Sequence, residues 1–238
     1  MTKRRNALIA VAALWWAGSA FAIEAKDLKR ALDGGGNWLI EQFDLKEKVF
    51  GKGERAKDVT TVAMCVKALC DNPRDYKETS GPFISEPVKY ILSQIGEDGK
   101  LKGANAADVV ADAWVIAALE ATMNETYAGI VAKCLVAMPA GSGARQDEQA
   151  RLKLDVATLR VQLAAQSALP KEVRAALPKW QTNIVVYNND KEARKRERYE
   201  ATAVAILKVQ QKSGAFSEDI KVHAACLIEL NGCYKALK

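Results

Sequence analysis

The chain has 238 residues, 49% of them apolar, and a formal net charge of +6. Half of that excess lies in residues 1–22, which hold three basic and no acidic residues, so the remainder is close to balanced at +3. Such a balance excludes a nucleic-acid binder held by phosphate contacts. The single histidine, His223, has no nucleophile placed near it, which leaves Ser-His-Asp and Cys-His chemistry without support.

In chain order, Lys3, Arg4 and Arg5 precede an apolar run from Ala7 to Gly18, and Ala20-Phe21-Ala22 fits a cleavage signal. Residues 1–22 are therefore expected to be a signal peptide that delivers the chain to the periplasm or the extracellular space. No transmembrane anchor is expected after cleavage near Ala22, because no later segment is long and apolar enough. Residues 23–238 are expected to form a single all-α repeat domain.

Leu28 and Leu32 precede Gly34-Gly35-Gly36, after which Trp38, Leu39, Ile40 and Phe43 continue the apolar pattern. Three glycines disfavour helix, so a short first turn and then a helix from about Gly36 is the expectation. The glycines lack both phosphate-binding spacings; they point to a close helix contact or a joint, and no cofactor is expected. Residues 44–57 read as a loop.

The stretch from Asp58 to Gly103 holds two helical patterns around a polar linker of 12 residues. Thr60 or Thr61 is the expected cap of the first, and Asp71-Asn72-Pro73 its stop. Ser85 is the expected cap of the second, with Pro87 in its first turn and Gly96 and Asp98-Gly99 as its end. The linker is long enough to pack against or cover something. Tyr76 and Phe83 bracket it, which makes them candidate ligand contacts.

A helix is expected over 107–121, and another beyond a cap at Asn124, ending before Pro139 and Gly141-Ser142-Gly143. Leu152, Val156, Leu159 and Leu163 form one stripe in a longer helix over 146–168, followed by a short helix over 170–178. Ile184 to Tyr187 reads as a brief extended piece, and residues 188–198 as a solvated charged run. Helices over 199–211 and 220–230 close the series, with Gly214 turning the chain between them and Gly232 after the second.

The residues suited to chemistry are few. Asp108 and Asp112 lie one helical turn apart; with Asp98 and Glu120 they are the carboxylates available for acid catalysis, against the plainer roles of helix start, solvated flank and turn. Asp219, His223 and Cys226 are the nearest approach to a metal set, without a recognised ligand spacing. Cys65, Cys70, Cys134, Cys226 and Cys233 are an odd number, so one or two disulfides are compatible with export, and burial as small apolar residues is the alternative.

Three places share a local grammar: Trp38-Leu39 with Gln42; Tyr90-Ile91-Leu92 with Gln94 and Asp98-Gly99; and Ile206-Leu207 with Gln210, Gly214 and Phe216. This resembles the aromatic/Leu-x-x-Gln…Gly-x-aromatic repeats of the prenyltransferase and squalene-cyclase superfamily. The resemblance implies repeated helical hairpins forming an α/α toroid, complete or incomplete. The superfamily's Asp-x-Asp-Asp acid motif is absent, and its Asp/Cys/His zinc pattern is not reproduced. The expected function is therefore a binding or scaffold module, with a toroid enzyme acting on a lipid-like or saccharide substrate as the alternative. The expected partner is a protein, glycan or hydrophobic ligand, on a concave surface for which Trp38, Tyr90, Trp114 and Trp180 are further candidate aromatics. Edge helices of an incomplete ring predict a homodimer.

Overall fold

A computed structural model describes residues 23–51, 57–102, 109–137, 165, 167–176 and 191–238. Residues 1–22, read above as a signal peptide, Asp108, the Leu152 to Leu163 stripe, Trp180 and the 184–187 piece lie outside these described residues. Among the described residues the architecture is helical, with one hairpin of two short strands, and no described helix is long and apolar enough to cross a membrane.

Helix α1 runs unbroken over Ala25–Glu41, straight through the three glycines, where a first turn and a later start were expected. Each interior glycine costs about 0.5–1 kcal/mol against alanine. Packing overrides that cost: Leu28, Leu32 and Leu39 are fully buried, and the bare face at Gly35 lets another helix come close. A β-carbon on Gly35 would lie 2.8 Å from Leu227 Cδ2 and 2.8 Å from Phe216 Cε2. Strands β1 (Phe43–Asp44) and β2 (Val49–Phe50) follow, with the Phe43 and Phe50 rings edge to face at 5.5 Å.

Helix α2 spans Val59–Cys70. Its cap is Asp58, not Thr60 or Thr61: the carboxylate accepts the Thr61 N–H at 3.0 Å and the Thr61 hydroxyl at 2.7 Å. The two threonines lie inside the helix and are buried. Helix α3 spans Pro82–Gln94, starting earlier than expected. Ser85 cannot cap it because its own N–H already bonds the Gly81 carbonyl; Pro82 takes the first position, and Pro87 lies buried inside the helix.

Helix α4 spans Val109–Ala121 and α5 spans Ala128–Ala137, after a turn in which Asn124 accepts the Thr126 N–H as expected. Helix α6 is Lys171–Ala176, α7 is Lys191–Leu207, and α8 is Ile220–Leu237. The last of these runs on through Gly232, where an end was expected. Buried Leu230, Asn231 and Cys233 hold that turn in the core.

Helices α2, α4 and α8 carry the core, and α2 packs against both of the others. Lys221 approaches Asp58, Asn231 bonds the Ala68 carbonyl and Lys235 bonds Asp71, so numbers rise together and α8 runs parallel to α2. Around this row a relation recurs. Helix α2 packs on α3, α4 packs on α5, and α8 packs on α1. The turns after α3 and α7 have the same form. Gly96 N–H bonds Lys100 O and Gly99 N–H bonds Gly96 O; Gln211 N–H bonds Ala215 O and Gly214 N–H bonds Gln211 O. Gly99 and Gly214 have φ of 82° and 91°. Each lies against the backbone of another helix, Gly99 at Lys133 in α5 and Gly214 at Gly34 in α1.

The core helices also share a sequence pattern that the Gln-based grammar misses. Asp58, Asp108 and Asp219 each begin D-[VI]-x-x-x-A-x-[CV]-[VIL]-x-x-L. The matched alanines Ala63, Ala113 and Ala224 and leucines Leu69, Leu119 and Leu230 are all buried. Of the three glutamines, Gln210 alone bridges units, donating to Ala31 O at 3.0 Å and Gly214 O at 3.3 Å. Gln42 bonds its own helix and Gln94 bonds Ser93.

All five cysteines are free and buried. Burial pushes the thiols of Cys70, Cys226 and Cys233 up to about 12 and that of Cys134 up to about 11. They are therefore expected to behave as apolar side chains. An aromatic disulfide reagent should find fewer than one reactive thiol in the native protein and five in urea. Fewer than five in urea would reveal a disulfide and overturn this assignment.

Candidate functional site

The residues nominated from sequence do not form one site. Asp98 accepts the Lys100 N–H at 3.1 Å within its own turn. Asp112 on α4 acts on Cys134 of α5, and Glu120, at the other end of α4, is raised by burial and opposed by Lys67. Asp108 lies outside the described residues. Tyr76 and Phe83 stand edge to face at 5.7 Å, half-buried. Their linker is clamped to α1 by Asn72 on Leu32 O and by Arg74 on Asp33 and Asn37. Its other end reaches the turn before α5, where Glu78 accepts Asn124 Nδ2 at 2.8 Å and the Tyr127 hydroxyl at 2.7 Å.

Nor do Asp219, His223 and Cys226 converge. Asp219 caps α8 by accepting the Val222 N–H at 3.1 Å. The His223 ring is occupied at both nitrogens, by Phe216 N–H on Nδ1 and the Gly35 carbonyl on Nε2, each at 3.0 Å. Cys226 is a buried thiol with its pKa raised. Among the described residues no group of three or more His, Cys, Asp or Glu side chains is placed to hold a metal. Trp38 packs on the His223 ring and Trp114 is buried, so neither lines a surface. Tyr90 donates to the Lys57 carbonyl.

A different place does gather function-bearing groups. Where α2 and α8 begin side by side, the β1–β2 hairpin folds over them and leaves a cleft of about 850 Å³. Among the described residues Glu41, Asp44, Asp58, Glu218 and Asp219 supply carboxylates to it, against the ammonium group of Lys221. Phe43, Phe50 and Ile220 give it an apolar part. The excess of negative charge in a concave, partly apolar wall attracts cations and focuses their approach. Its carboxylates have structural duties as well: Asp58 and Asp219 cap helices, and Asp44 accepts the N–H groups of Lys46 and Glu47. Among the described residues its lining is dominated by carboxylates, with no histidine, serine or cysteine, which suits it to holding a cationic group.

The cleft joins residues 41–51 to residues 218–221, and no local spacing announces such a meeting. The one available signal was the pair of aspartate caps in the repeated pattern, which mark helix starts that come together. No family model, curated protein or solved structure matches this chain.

Proposed function

We propose that the chain is an exported binding module of the α/α-toroid kind, and that its ligand surface is the acidic cleft. The ring reading is supported by the recurring relation among the hairpins. Helix α8 meets α1 and α2 as α2 meets α3 and α4, and the turn glycine before α8 meets α1 as the one before α4 meets α5. A chain of hairpins whose later unit treats the first as its successor returns on itself; the α1–α8 contact is then the seam. A ring closed at that seam has no bare edge there for a second copy to cover, which removes the motive for a homodimer.

The binding reading is carried by one observation: among the described residues, five carboxylates and the ammonium group of Lys221 line a cleft beside Phe43 and Ile220. The ligand is therefore a basic segment of a protein, with Lys or Arg heads on the carboxylates and apolar stems on the partly exposed Phe43 and Ile220. Peptides alternating Arg or Lys with aliphatic residues are expected to bind at pH 7.5 and to weaken as salt rises. The double charge reversal Asp44→Lys with Glu218→Lys should weaken binding at least tenfold. Equal binding of an acidic peptide, or no binding of the basic one, would sink the reading. The competing enzyme reading has one observation in its favour, a Glu229 carboxyl that burial holds at about 7, as a general acid needs. That carboxyl sits by Arg198, Cys226 and Cys233, away from the cleft.

A further inference from the structure

The one histidine of the chain lies in the α1–α8 contact. His223 is fully buried on α8, between the rings of Trp38 at 4.3 Å and Phe216 at 5.4 Å. Nδ1 accepts the Phe216 N–H, so the ring proton sits on Nε2 and is donated to the Gly35 carbonyl. One helical turn away along α8 stand Asp219, held by Val222 N–H, and Cys226, a buried thiol, while Lys221, two residues away, reaches Asp58 at 3.9 Å. Among the described residues, no charged side chain of α1, α2, α7 or the 208–219 turn acts on the ring.

We propose that His223 is an acid-released latch on this contact, and that its release regulates the cleft. A second proton can enter only at Nδ1, where it would meet the Phe216 N–H head-on. Two donors would then face each other, and a positive charge would lie in an apolar box with no counter-ion. The strain is relieved by parting α8 from the 211–216 turn and from α1. The cleft has one wall on residues 41–51, which follow α1, and another on residues 218–221, which begin α8. Parting the two spreads the walls. This regulatory half rests on the reading of the cleft as the ligand site; the latch itself does not.

Burial lowers the proton affinity of the ring to about 4, from an ordinary 6.5. A proton taken up only on opening raises the opening constant up to tenfold per pH unit across that window, about 300-fold in all. The test uses the intact, untagged protein, in which one imidazole signal is unambiguous. Nitrogen shifts of the ring are followed by NMR from pH 7.5 to 3.5, with hydrogen exchange of residues 25–41 corrected for intrinsic rate. The expected result is an Nε2–H tautomer at pH 7.5, a ring transition far below 6.5, and exchange in 25–41 that rises as pH falls from 6.5 toward that transition. In His223→Gln the pH-dependent rise should shrink to less than threefold.

A ring that titrates near 6.5, or that takes up its proton with no change in 25–41, overturns the latch. So does a folded His223→Gln protein with the wild-type slope; if that variant does not fold, the wild-type ring titration decides alone. Release of a basic peptide at pH 4 from wild type and not from His223→Gln supports the regulatory half. Equal release from both assigns it to the carboxylates and overturns that half. Absence of binding at pH 7.5 overturns the cleft reading and leaves the latch to its own test.

Discussion

Gly214→Ala is expected to destabilise the protein by about 2–6 kcal/mol, read as a drop in the urea midpoint at unchanged slope. Two costs combine. Gly214 has φ of 91°, a conformation that costs a non-glycine residue about 1–3 kcal/mol. Its new β-carbon would also lie 2.5 Å from the Gly34 carbonyl oxygen, and backbone in a buried contact yields only at a further cost of about 1–3 kcal/mol. The neighbouring glycines of α1 supply the control. A β-carbon on Gly34 meets Gln210 Nε2 at 3.6 Å and Gly214 Cα at 3.7 Å, which is ordinary contact. Gly34→Ala is therefore expected to stabilise by about 0.5–1 kcal/mol through helix propensity. Gly35→Ala, pressed on Leu227 and Phe216, should lose about 1–3 kcal/mol. Similar effects at all three positions would refute the close approach of α1 to α8 and its preceding turn.

Glu229→Gln should stabilise the protein by about 1–3 kcal/mol at pH 8 and leave it unchanged near pH 4. Burial, opposed by Arg198, raises the Glu229 carboxyl to about 7 from an ordinary 4.5. Because the folded value is the higher one, the folded state binds the proton more tightly than the unfolded chain. Stability from this group is fully present below 4.5 and is lost as pH rises through 7. The neutral amide removes that loss. His223 acts in the opposite sense: its folded value is depressed, so its contribution is full above 6.5 and is lost as pH falls toward 4. Thermal melts of wild type and Glu229→Gln across pH 4–8 check both slopes. A variant no more stable than wild type at pH 8 would place Glu229 in water.

The helices themselves were legible because their apolar spacing is strong. Val88, Ile91 and Leu92 predict α3, and the Asp98-Gly99 and Gly214 turns sit where the glycines put them. What failed was local propensity judged without a partner. Gly34-Gly35-Gly36 reads as a broken helix until Leu227 and Phe216 are seen to need the vacant space. Gly232 and Pro87 read as an end and a beginning, yet both lie inside helices held by burial. Asp58 outcompetes the threonines beside it as the cap, because a carboxylate accepts two bonds where a hydroxyl shares one. The cleft was illegible for a further reason. It exists only once residues some 175 positions apart are brought together, and none of its carboxylates stands out alone.

Helix α1 has a temporal consequence. Its Gly35 carbonyl waits for a histidine 188 residues downstream, and its Ala31 carbonyl waits for a glutamine 179 residues downstream. At about 5–20 residues per second a ribosome needs roughly 10–40 seconds to make that interval. Through that time the linker at Asn72 and Arg74 can hold one face of α1, but the face at Gly35 and Trp38 that meets α8 has no lasting cover. The earliest helix of the domain is thus among the last to become secure, and whatever shelters a nascent chain has longest to act on it.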